Sequence, residues 1–351
     1  MLKTSEAVKT PTVKRLLKLW SERYTPELSS VSSENVWSYN SLLKTLSPEG
    51  RAATVAKLKD NVLNTNCQMA LIQAKALYSY IPNILDLNEA RRITQFAFRV
   101  YKKLLSIYQQ QSEDSTPTGW EIPAIDDLAY ALEPILLVFQ EQHIASKDWR
   151  TLGFLTTQLN FTNRLIEKKL TSDEKALLAP YLKFVEEQVA MPWQRVCTAA
   201  AKYEIDSPEL AVVEQMMTET HDIAYTVYQQ LLQLLPEHRS RRGLLGDSAI
   251  AHSCIRDLNM FQAYIWLCFL SKSIEPLEKE MLPLCVMVVE GVGIQWELTE
   301  KWCDLLATEM EKRLSEEYKP LVEPYTQGMR KIFFRERASL GCKEQVVVTG
   351  V

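Results

Sequence analysis

Residues 248–271 read SAIAHSCIRDLNMFQAYIWLCFLS. Neither glycine nor proline interrupts the run, and Cys254, Leu258, Phe261, Ile265 and Cys268 recur at steps of three and four residues, so the stretch is a helix with an apolar stripe. Three reactive or charged groups fall near its start, where the pattern asks for core: the thiol of Cys254, the guanidinium of Arg256 and the carboxylate of Asp257. Asp257 follows Cys254 by three positions, so the two project to one side. Arg256 lies roughly 200° around the helix from Cys254, on the flank. A carboxylate beside an apolar stripe needs donors or takes up a proton, and a planar guanidinium suits a carboxylate. One helical turn thus carries the groups to grip a flexible, charged, aromatic ligand.

Outward from this helix, nearly every segment reads the same way. Helices are expected at 276–291, 296–315 and 318–337 downstream, and at 193–203, 208–217 and 219–235 upstream. Further upstream they are expected at 11–24, 48–65, 67–80, 87–111, 124–145, 147–169 and 173–190. Ser47-Pro48-Glu49 and Ser207-Pro208-Glu209 each supply a capping serine, a proline at the first helical position and an acid facing the helix dipole. Thr171 and Glu174 have the spacing of a capping box. Pro11 opens a basic amphipathic helix with the stripe Val13, Leu16, Leu17 and Trp20, expected to pack on its own domain rather than on a membrane surface. Breaks fall at the Ser/Pro-rich 25–33 and at 112–123, which carries Pro117, Gly119 and Pro123. A basic loop with Arg239, Arg241, Arg242, Gly243 and Gly246 follows Leu235-Pro236. The expectation is an all-α chain: a helical domain at 1–170, a second at 171–340, and a loose tail at 341–351.

Bulk properties agree. A chain of 351 residues suits two domains better than one. With 46% hydrophobic and 24% charged residues it has a globular balance, and only 10 glycines argue against a β-rich or loop-rich fold. A net charge of −4 provides no global field for nucleic acid or anionic membrane. The seven cysteines are odd in number and include no CxxC pair, which fits a reducing compartment. The basic start lacks the apolar stretch of a signal peptide. The longest apolar runs, Tyr264–Leu270 and Met281–Val289, fall far short of the ~20 residues that span a bilayer. A cytoplasmic protein without an integral membrane segment is expected.

Cys254-Ile255-Arg256-Asp257-Leu258 resembles the chromophore-attachment motif of the phycobiliproteins, the light-harvesting globins. The resemblance runs without a gap from Cys254 to Gly293, with an aromatic at Phe261 and a matching turn at Ser273–Glu278, and more weakly over 175–337. Met217-Thr218-Glu219-Thr220 and the helix to Leu235 are similar to the family's second globin helix. The resemblance implies a globin-like domain and a linear tetrapyrrole (bilin) as cofactor. Cys254 would be its attachment or contact thiol, Arg256 would pair with a propionate, Asp257 would accept from the pyrrole N–H groups, and Phe261 would complete the set. The chain departs from the family at Met260-Phe261, Ala263, Leu267-Cys268, Lys272-Ser273 and in the basic loop before the cysteine. With the extra N-terminal domain, these changes point to a divergent relative, such as the bilin-biosynthesis-associated globins, rather than an antenna subunit. Bilin-synthesis or phycobilisome proteins are the implied partners. A pigment-free interaction protein on the same scaffold is the alternative, and a globin for a fatty acid or other apolar ligand stands third.

Other constellations offer less. The four histidines are His143, His221, His238 and His252, and none falls on 276–291, so haem ligation is not expected. No spacing suggests a metal site. Trp193, Trp266, Trp296 and Trp302 read as core. Asp126-Asp127 and Glu186-Glu187 diverge around their helices and cannot form an acid/base dyad. With no phosphate loop, nucleophile elbow or HExxH, an enzyme is not expected.

Overall fold

The computed structural model describes residues 10–24, 36–79, 85–110, 125–146 and 149–339. Among them are fourteen α-helices, one π-helical turn and a minimal β-hairpin, so the fold is all-α. The chain divides into two compact units, 1–202 and 203–351. The boundary therefore lies beyond the expected 170, because the two helices that follow it pack in the first unit.

The first unit holds α1 (Pro11–Glu22), α2 (Val36–Leu46), α3 (Pro48–Lys57), α4 (Asp60–Leu77), α5 (Leu87–Tyr108), α6 (Ile125–Ser146), α7 (Trp149–Glu167), α8 (Ser172–Ala190) and α9 (Trp193–Ala200). The stripe of α1 is buried against α6 and α9, so this amphipathic helix is spent on its own unit. The core is α4 on α7 on α8, with α5 packed against all three. Local signals set the starts. The Ser47 hydroxyl accepts from the Gly50 N–H at 3.1 Å. Thr171 and Glu174 cap each other's backbone N–H groups as the spacing predicts. Each such cap stabilises by about 1 kcal/mol.

Two differences from the sequence reading occur here. A helix forms at α2, which the pattern does not announce. The break expected between 65 and 67 falls instead at Leu58-Lys59, where Leu58 is 2% exposed and leaves the helical region to reach the core.

The second unit begins with α10 (Pro208–Leu234), a single helix where two were expected. The Thr218 and Thr220 hydroxyls bond back to the Gln215 and Met216 carbonyls, so both are satisfied within the continuous helix. The expected basic loop is a hairpin, β1 (Arg239–Ser240) and β2 (Gly243–Leu244), with Arg241-Arg242 as its two-residue turn. It leads into α11 (Ser248–Ser271), followed by the π-turn Leu277–Met281, α12 (Leu282–Val292), α13 (Trp296–Arg313) and α14 (Lys319–Ser339). Helix α10 packs on α11 and α13, α13 on α14, and α14 on α11. The π-turn has a cause. Pro283 has no N–H for the carbonyl four residues back, and the chain widens before it, with the Leu282 N–H reaching the Leu277 carbonyl.

Lys272 ends α11 in the left-handed region at φ 52°, a conformation glycine adopts at less cost. Gly293 ends α12 the same way at φ 68°. The segments expected as a linker at 25–33, as a break at 112–123 and as a tail at 341–351 lie outside the described residues. Among the described residues no helix is long and apolar enough to cross a membrane.

Candidate functional site

Helix α11 begins at an anchored corner. The Asp247 carboxylate accepts from the Leu244 N–H at 2.8 Å, and the Tyr228 hydroxyl of α10 donates to the Leu245 carbonyl at 3.0 Å. About two turns later come the three residues singled out by sequence, of which Arg256 and Asp257 are in direct contact. Arg256 donates through Nε and Nη2 to Oδ1 of Asp257, at 2.9 and 2.7 Å. Both bonds fall on one oxygen, and Oδ2 of Asp257 has no protein donor among the described residues. The Arg256 side chain is largely covered, whereas that of Asp257 is 33% exposed.

Cys254 is buried one turn before Asp257. Burial pushes its thiol up to about 12, the Asp257 charge adds to the rise, and Arg256 and Arg242 oppose it. Burial thus outweighs the guanidinium groups, and the thiol is protonated at neutral pH. Phe261 lies inside the aromatic core of the unit, 3% exposed, with ring centroids 5.8 Å from Trp302 and 5.6 Å from Phe333. Its ring contacts are with these core aromatics and not with the polar cluster.

In the same unit lies α12, whose sequence LPLCVMVVEGV is the most apolar of the described helices. It nevertheless packs extensively only on the π-turn. Leu284 and Val292 are buried, but Leu282, Cys285, Val286, Met287, Val288 and Val289 are only half-buried. The Cys285 thiol is raised by burial and then by the Asp257 charge, so α12 stands within electrostatic reach of the α11 cluster. An apolar helix left half covered beside a thiol, a guanidinium and a carboxylate can take a ligand with both an extended apolar face and polar groups.

Two further residues belong to this region. Arg242 of the hairpin acts on the Cys254 thiol across the chain fold; its sequence signal was a pair of arginines in a short glycine-ended turn. Asn259 is 1% exposed, and neither its amide nitrogen nor its oxygen is hydrogen-bonded. No spacing rule points to Asn259, because its burial is decided by tertiary packing.

The remaining candidates are structural. Trp193, Trp266, Trp296 and Trp302 are all buried. Glu186 takes amide donors from Asn160 and Asn163, while Glu187 accepts from the Tyr24 hydroxyl, so this carboxylate pair does diverge. Among the described residues no group of three or more His, Cys, Asp or Glu side chains is arranged to hold a metal. Comparison of the chain with family models, curated proteins and solved structures returned no match.

Proposed function

We propose that the second unit is a globin-like domain of the phycobiliprotein kind that binds or handles a linear tetrapyrrole, in a cytoplasmic role auxiliary to bilin synthesis or phycobilisome assembly. The observation that carries this reading is the Arg256–Asp257 pair beside Cys254, next to the half-covered apolar face of α12. The chemistry is complementary. A bilin brings a long apolar conjugated system, two carboxylates and a row of N–H donors. The open oxygen of Asp257 is an acceptor for those donors, and the two bonds from Arg256 hold the carboxylate in place. Left-handed backbone at Lys272 and Gly293, two positions where the resemblance expects glycine, supports the same reading.

The buried, protonated thiol of Cys254 favours non-covalent holding over spontaneous thioether formation. The alternative is a pigment-free scaffold that docks on other proteins. One observation favours it: Arg256 already has a carboxylate partner in Asp257.

The experiment is co-expression of the full chain with a bilin-producing pathway, read by visible absorbance and by zinc-enhanced fluorescence on a denaturing gel. The reading expects colour that Asp257→Ala removes. Colour surviving denaturation in the parent and lost in Cys254→Ala indicates attachment. A colourless protein with every bilin tried leaves the scaffold alternative.

A further inference from the structure

The following assignment rests on the ligand reading just given. Three arginines border the start of α11 and the end of α12, and they differ in how their charge is used. Arg256 is held by Asp257 at 2.7 Å. Arg241 is committed to the end of α12: its backbone N–H donates to the Val292 carbonyl at 2.9 Å and its Nη1 to the Gly291 carbonyl at 3.3 Å. Its stem also lies along Gly293, where an added Cβ would come within 3.3 Å of it. Arg242 completes the same turn. Its backbone N–H is taken by the Ser240 hydroxyl at 3.1 Å, its side chain is half-buried, and its guanidinium makes no hydrogen bond or ion pair among the described residues.

We infer that Arg242, and not Arg256, receives a carboxylate of the ligand, and that the hairpin Arg239–Leu244 is the clamp for the ligand's anionic end. A carboxylate approaching Arg256 meets Asp257 on the same guanidinium and is repelled by it. At Arg242 it meets an uncompensated cation that is partly out of water, where a charge-assisted hydrogen bond is strongest. The hairpin is tied to the start of α11 by the Leu244 N–H on the Asp247 carboxylate and to the end of α12 by the Arg241 N–H on the Val292 carbonyl, and Arg242 is among the charges that act on the Cys254 thiol. The labour then divides. The hairpin takes the acid end, Arg256 orients Asp257, and the open oxygen of Asp257 takes N–H donors further along. The ligand that fits is elongated, with a carboxylate at one end and N–H groups along its length.

The test titrates the purified full chain with biliverdin, a linear tetrapyrrole diacid, and with its dimethyl ester, following visible absorbance. The parent is expected to bind the acid at least about tenfold more tightly than the ester, the effect of one charge-assisted hydrogen bond. Arg242→Ala abolishes that preference while still binding the ester, and Arg242→Lys restores part of it. Arg256→Ala weakens acid and ester alike, because it frees Asp257. Survival of the preference in Arg242→Ala, or its loss in Arg256→Ala alone, overturns the assignment. Equal binding of acid and ester by the parent also overturns it while the ligand reading stands. A parent chain that binds neither compound sinks the ligand reading and this assignment with it.

Discussion

Glu186 on α8 and Asp257 on α11 are both carboxylates on long helices, and the protein treats them in opposite ways. Glu186 is 3% exposed and is held from another helix, by the Asn163 amide at 3.0 Å and the Asn160 amide at 3.1 Å. Asn163 in turn accepts from the Tyr101 hydroxyl at 2.6 Å and donates to the Leu182 carbonyl at 3.2 Å. The charge is closed by a network that ties α5, α7 and α8 together. Asp257 takes both of its bonds from the residue before it, and one oxygen stays open. A buried charge that serves packing must be matched across helices, because only tertiary partners repay its desolvation. A charge matched by its own sequence neighbour holds nothing together, and its remaining lone pairs are available for something else.

The largest effect concerns the thiol. Cys254 is raised from 9.0 to about 12, so at pH 8 its thiolate fraction is lower by about a thousandfold than that of an ordinary thiol. Alkylation by iodoacetamide, followed by mass spectrometry, should be slower by about that factor in the folded chain. A rate near that of a free thiol means the corner is far wetter than its burial implies. The linked stability has a definite sign. The folded state holds this proton more tightly than the unfolded one, so its contribution is complete below pH 9 and is lost as pH rises towards 12. Cys67 in the first unit, also raised to about 12 by burial, adds to the same loss. Urea unfolding midpoints should therefore fall steadily across that window.

Second comes Asn163→Ala. It removes the shorter of the two bonds of the Tyr101 hydroxyl, which keeps the Leu159 carbonyl at 3.0 Å, and one of the donors to the Glu186 carboxylate, and should cost about 2 kcal/mol in urea unfolding. A cost under about 1 kcal/mol would show that the network does not close the first unit. The smallest effect is expected of Asp257→Asn. This part-exposed pair between neighbours should change stability by less than about 1 kcal/mol. A loss as large as that of Asn163→Ala would make Asp257 a structural residue and remove the contrast.

Much of the fold is legible in local chemistry. Serine-proline-acid starts, the capping box at Thr171 and the stripe of α1 are decided within a few residues, and these elements form where the sequence puts them. What escapes is decided at a distance. The α3–α4 break has no glycine or proline; it exists because Leu58 turns into the core. Helix α10 runs through Thr218 with Met216, Met217, Thr220 and Ile223 buried around it, in a helix packed on α11 and α13. At the site, the meeting of Arg256 with Asp257 follows from adjacency in sequence. The approach of Arg242 does not, because it depends on a hairpin docking at the far end of another helix. Phe261 shares the apolar stripe of Cys254, and a stripe alone cannot separate a ligand wall from the core behind it.

The mounting of α12 has a mechanical consequence. The widened turn before Pro283 fastens one end of this helix, and Arg241 fastens the other through the Gly291 and Val292 carbonyls. Between these fixings the helix is a beam on two supports, with Leu284 buried and most other side chains half-covered along its span. Its deflection would follow whatever lies beneath it, and any load at mid-span would be felt at the Arg241 end, where the partner residue Arg242 waits.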